Sequence, residues 1–85
     1  MKRFVWEDSA KEDLRRIEQR HALEILKALT RFANGEDIGN IKKLTGGLDD
    51  RYRFRLGDWR VLFQYEGGRT IHVYAVGNRK DIYRR

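Results

Sequence analysis

Cysteine and proline are both missing from these 85 residues, methionine occurs once and histidine twice. Without cysteine there is no disulfide framework, no thiolate zinc site and no cysteine nucleophile. The two histidines, His21 and His72, lie far apart in the chain, which argues against a histidine-based metal centre. No apolar run approaches the ~18 residues of a membrane-spanning helix. The start, Met1-Lys2-Arg3-Phe4-Val5-Trp6-Glu7, meets acid too soon to be the apolar core of a signal peptide. A soluble cytoplasmic protein with no membrane partner is expected. A chain this short has room for one core, so residues 1–85 read as a single domain. Also absent are an ordered Ser/His/Asp set, a glycine-rich phosphate loop and paired carboxylates on one strand or helix face. Hydrolysis by those routes is unsupported, and neither a cofactor nor a metal is expected.

What is present is charge, unevenly placed. Hydrophobic residues make up 40% of the chain and aromatics 12%, enough for a compact fold, while 38% charged residues make most of the surface ionic. Residues 1–40 carry eight basic and eight acidic side chains. Residues 41–85 carry eleven basic against five acidic, so the whole net charge of +6 belongs to the second half. That segregation favours a face that binds a polyanion over a merely solubilised surface.

The pattern predicts β-α-α-β-β-β. Arg3-Phe4-Val5-Trp6 is a short strand of aromatic and β-branched residues. Ser9 and Glu12 form S-x-x-E, a capping box that starts a helix whose apolar stripe is Ala10, Leu14 and Ile17. From about Arg20 a second helix presents Ala22, Ile25, Leu26, Leu29, Phe32 and Ala33, and ends at Asn34-Gly35. Gly35 to Asp50 reads as a loop with a short extended piece, anchored by Ile38, Ile41 and Leu44. Period-two alternation then predicts a three-stranded meander: Tyr52 to Leu56, Trp59 to Glu66 and Thr70 to Val76. Its turns fall at Gly57-Asp58 and Gly67-Gly68, and Gly77-Asn78-Arg79 ends it. The fold class is α+β, with an N-terminal helical hairpin covering one face of a small, mainly antiparallel twisted sheet.

The opposite face of that sheet should carry function. Alternation with Val61, Phe63, Tyr65, Ile71, Val73 and Ala75 facing the helices leaves Arg53, Arg55, Arg60, Leu62, Gln64, His72, Tyr74 and Val76 on the other side. Arg53, Arg55, Arg60 and Arg79, beside Tyr74 and Tyr83, have the chemistry of a phosphate-binding groove with base-stacking aromatics. Lys42 and Lys43 either extend this basic rim or simply solubilise the chain. His72 is a proton-transfer residue type, but alone on an outer strand position it reads as ordinary surface. His21, Trp6 and Trp59 are expected in structural positions, Asp58 as a turn former, and Asp81 as a partner for a nearby arginine. The chemistry open to such a groove is metal-free RNA cleavage, in which a ribose 2′-OH attacks the adjacent phosphate and cations hold the developing charge.

The stretches KKLTGGLDDRYRFRLGDWRVLFQYEGG and YAVGNRKDIYRR, in the order β-α-α-β-β-β, resemble the RelE/ParE superfamily of type II toxin-antitoxin toxins, most closely its RelE branch. The likeness covers essentially the whole chain and rests on YRFRLGDWRVLF and VGNRKDIY together. It implies an endoribonuclease that cuts mRNA in the ribosomal A site, stops translation and is neutralised by a cognate antitoxin in a hetero-oligomer. On that resemblance the catalytic set is Arg53, Arg55, Arg60, Arg79 and Tyr83. Arg53 and Arg55 stand where the best-known members have two lysines, one of which acts on the 2′-OH. Arg60 matches the arginine that stabilises the phosphate transition state, Arg79 the one serving the leaving group, and Tyr83 the tyrosine that stacks on mRNA. The RNA-binding set is Lys42, Lys43, Arg53, Arg55, Arg60, Arg79, Lys80 and Tyr83. Asn78 stands where many relatives carry histidine, and arginine, which stays protonated, is a poor general base. The resemblance thus points to charge stabilisation and positioning. Two alternatives remain: a ParE-like inhibitor that binds DNA gyrase without chemistry of its own, and a silent RNA- or ribosome-binding module.

Overall fold

The computed structural model describes residues 2–36, 39–44 and 51–82. In chain order these form β1 (Arg3–Trp6), α1 (Asp8–Arg16), α2 (Gln19–Ala33), β2 (Ile41–Lys43), β3 (Arg51–Leu56), β4 (Trp59–Glu66) and β5 (Thr70–Asn78). The strands build one sheet in the order β1-β5-β4-β3-β2. β1 lies parallel to β5, and every other pairing is antiparallel. The expected extended piece after α2 is therefore a fifth strand, β2. Among the described residues no helix is long and apolar enough to cross a membrane.

Local chemistry explains the boundaries. α2 stops at a Schellman motif: the Gly35 N–H donates to the Phe32 carbonyl and the Glu36 N–H to the Arg31 carbonyl, each at 3.0 Å. Gly35 sits at φ 89°, where a side chain would clash with the following carbonyl. Leu56 pairs directly with Trp59, so β3 and β4 join through two residues, Gly57 and Asp58. Gly57, at φ 58°, fills the first central position, the glycine site of a II′ hairpin. Gly67-Gly68 opens a three-residue loop, since the flanking pair is Glu66 and Thr70.

The capping box does not form. Glu7 is the N-cap of α1 and makes no side-chain cap, and the Ser9 hydroxyl instead donates to the carbonyl of Tyr74 at 2.8 Å. The reason lies in β5. Leu62 pairs with Ala75 but Phe63 pairs with Val73, which makes Tyr74 an extra residue in a β-bulge. A bulge leaves ladder groups without strand partners, and α1 supplies them: Ser9 takes the Tyr74 carbonyl, and the Asp13 carboxylate accepts the Val76 N–H at 3.0 Å. Asp13 is 7% exposed, buried because it caps backbone rather than facing water.

The bulge also inverts the expected facing of two residues. Val76 joins the main core with Ala10, Ile25, Leu29, Phe32, Phe54, Val61, Phe63, Ile71 and Val73, while Ala75 turns to the far face. β5 runs past the expected last residue, Val76, to Asn78. The far face is partly covered as well: Leu62, Ala75 and Ile82 form a second small cluster flanked by Leu44 and Tyr74. Ile41 packs against the main core and Leu44 against this second cluster, as anchors should, and Ile38 lies outside the described residues. His21 packs against Trp59 in a tilted arrangement with ring centroids 5.3 Å apart, and Trp6 and Trp59 both border the core.

Candidate functional site

Register places the basic side chains. Lys42 is opposite Arg53, which is opposite Leu62, which is opposite Ala75, and this row crosses the sheet on the face away from the helices. The next row runs Arg55, Arg60, Gly77. Two cations thus stand directly across from cations, Lys42 from Arg53 and Arg55 from Arg60, an arrangement that costs stability in a sheet. Asn40, Ile41, Lys42, Arg53 and Arg55 line a shallow cleft of about 300 Å³ at this edge.

At the turn end the groups are held differently. Arg60 is 8% exposed, and its Nη1 donates to the carbonyls of Gly57 at 2.8 Å and Trp59 at 2.9 Å, folding the guanidinium back over its own hairpin. Arg79 follows β5, and its backbone N–H donates to the Asp58 carbonyl at 2.8 Å. Its side chain, 57% exposed, has Nε 3.6 Å from the Asp58 carboxylate. Asp58, not Asp81, is the acid that pairs with Arg79. Gly77 allows the chain to close over the sheet here: a Cβ on it would lie 3.2 Å from Cδ1 of Ile82. Arg55, Arg60 and Arg79 therefore come from three segments to one end of the sheet.

Of the remaining sequence candidates, Lys43 is exposed and pairs with Tyr52, on the opposite side of β2 from Lys42. Lys80 is exposed beyond β5, its N–H donating to the Asn78 side chain. Tyr83 lies outside the described residues. Arg51 was missed: it pairs with Gln64 and extends Arg53 and Arg55 by one more period-two step. The signal was the alternation itself, carried one residue further back. Asp13 was missed too, although it falls within the spacing of Ala10, Leu14 and Ile17, and an acid inside an apolar stripe marks a buried acceptor. Among the described residues no cluster of three or more His, Asp or Glu side chains is arranged to hold a metal ion.

Residues 4–83 match the family model described as the ParE toxin of the type II toxin-antitoxin system parDE. The chain belongs to that family. As a toxin of the wider RelE/ParE superfamily it shares its fold with several solved structures. In the RelB-RelE antitoxin-toxin complex of Methanococcus jannaschii the match has 24% identity and a TM-score of 0.78, covering 94% of this toxin and 95% of that chain. For the toxin-antitoxin complex RelBE2 of Mycobacterium tuberculosis the figures are 19% and 0.77, with 92% and 98% covered. For the isolated Escherichia coli RelE toxin they are 20% and 0.74, with 92% and 84% covered. No curated protein sequence matches the toxin significantly.

Proposed function

We propose that this toxin is a metal-independent endoribonuclease that cuts mRNA on the ribosome, in the cytoplasm, and so arrests translation. The observation that carries the reading is the cross-strand register that sets cation opposite cation twice, Lys42 with Arg53 and Arg55 with Arg60. Such pairs are unfavourable in the isolated protein and become favourable once an anionic backbone lies between them. Sites that break a local rule of stability are where function is expected.

The reaction that fits is internal transesterification. The 2′-oxygen of a ribose forms a bond to the adjacent phosphorus, the bond to the 5′-oxygen breaks, and a 2′,3′-cyclic phosphate remains. Water takes the 2′ proton and returns one to the 5′-oxygen. The arginines contribute by holding the extra negative charge that the phosphate oxygens develop, Arg53 and Arg55 from β3 and Arg79 from the segment after β5. Arg60 needs its guanidinium shared between substrate and the Gly57 and Trp59 carbonyls. Tyr83 serves as the stacking residue. An antitoxin with an acidic or amphipathic segment would cover the basic face or pack on the helical hairpin, giving a hetero-oligomer, as in the RelB-RelE relatives.

Primer extension on a translated reporter mRNA after brief induction tests this. Cuts confined to translated codons are expected. Intact mRNA with impaired DNA supercoiling would instead establish a gyrase inhibitor. That second reading is favoured by the engagement of Arg60 with its own turn and by the ParE family match over residues 4–83.

A further inference from the structure

On the far face of the sheet, beyond the Lys42–Arg53 row, lies a second open pocket of about 460 Å³ lined by Glu7, Arg51, Gln64, Glu66, His72 and Tyr74. We propose that it is a base-stacking subsite of the toxin, which takes an unpaired nucleobase of the bound RNA at the end of β3 remote from the Gly57-Asp58 turn. The proposal rests on the ribonucleic-acid reading above and adds a contact that this reading does not use.

Three features carry it. First, the Arg51 guanidinium lies over the Tyr74 ring, 5.5 Å from its centroid, so a planar cation braced by an aromatic faces the pocket. Bases stack on such guanidinium planes as they do on rings. Second, Arg51, Arg53 and Arg55 occupy alternate positions of one strand, spaced roughly 6.8 Å apart at ~3.4 Å per residue. That spacing suits successive nucleotides of an extended single strand. Third, the rim repels phosphate. His72 sits between two carboxylates, its Nδ1 3.2 Å from Glu7 Oε1 and its Nε2 against Glu66. Two acids around one imidazole make that edge unfit for an anion but able to accept hydrogen bonds from a base. The Gln64 amide, in the same row as Arg51 and His72, can both donate to and accept from a base edge.

Stacking and phosphate contacts separate by salt. The probe is a fluorescein-labelled single-stranded RNA heptamer, its anisotropy measured without ribosomes between about 50 and 200 mM salt. Tyr74→Leu should weaken binding about fivefold or more at every salt concentration while leaving the slope against log salt unchanged. Arg53→Ala should reduce that slope by about 0.7. Gln64→Ala, which leaves the Leu62, Ala75 and Ile82 cluster untouched, should narrow the spread of affinities among the four homo-oligomers. Wild-type affinity in Tyr74→Leu, or an unchanged spread in Gln64→Ala, overturns the subsite alone. A wild-type toxin that binds none of these strands overturns the subsite, whereas the ribonuclease reading stands or falls on the cuts in the translated reporter mRNA.

Discussion

Single residues divide sharply between those that hold the fold and those that are free to act. Arg60 and Arg79 make the contrast testable. Arg60→Ala removes two charge-assisted, part-buried bonds to carbonyls of its own hairpin and should cost about 1–3 kcal/mol of stability along with activity, read by urea denaturation and by cleavage. Arg79→Ala, at a largely exposed position, should leave stability within about 0.5 kcal/mol yet lower cleavage by about a hundredfold or more. Tyr65 offers a pH test of core packing. Burial, helped by the neighbouring Tyr52, raises its hydroxyl above the ordinary tyrosine value near 10. A raised folded-state value means the contribution is complete below the unfolded value and is lost as pH climbs through the folded one. Wild-type stability should therefore fall more steeply than that of Tyr65→Phe as pH rises above about 10, measured by denaturation at each pH. The identities of Arg53, Arg55 and Arg60 as far-face residues were legible from alternation alone. That Arg60 is turned inward was not, because its partners are backbone carbonyls, which no side-chain pattern reveals.

At the scale of elements, the decisive contact is between α1 and the bulge in β5. Ser9 and Asp13 meet the Tyr74 carbonyl and the Val76 N–H, and the bulge in turn brings Ala75 to the far face and Gly77 under Ile82. Asp13→Ala should strand a buried amide and lower stability by about 1–3 kcal/mol, whereas Asp13→Asn, which keeps an acceptor oxygen, should lose less. Hydrogen exchange at the Val76 amide reads the same event locally: protection should fall in Asp13→Ala. The strands and helices themselves were readable because period-two and period-3.6 burial are properties of consecutive residues. The bulge was not, because an extra residue in a ladder is defined only relative to the strand opposite. The S-x-x-E signal was misleading for the same reason. Ser9 can satisfy a helix start or a bulged strand, and only the position of β5 selects between them.

Across the whole molecule, the helical layer supplied by the electrically neutral residues 1–40 covers one side of a sheet whose other side collects cations from β2, β3, β4 and the segment after β5. This arrangement sets stability against binding. Arg55→Thr relieves the repulsion with Arg60 and should stabilise the fold slightly, by a few tenths of a kcal/mol, while weakening cleavage. Thermal denaturation and the reporter assay on the same variant check both halves. The sequence by itself determined the charge segregation, the order of elements and the period that sorts each strand into two faces, since all three are local or additive properties of the chain. The tertiary structure alone decided which cations face one another, which arginine is spent on its own turn, and where β5 changes phase. Those depend on register between strands distant in sequence and on backbone groups left unpaired by a single extra residue, and neither exists until the sheet has closed against α1.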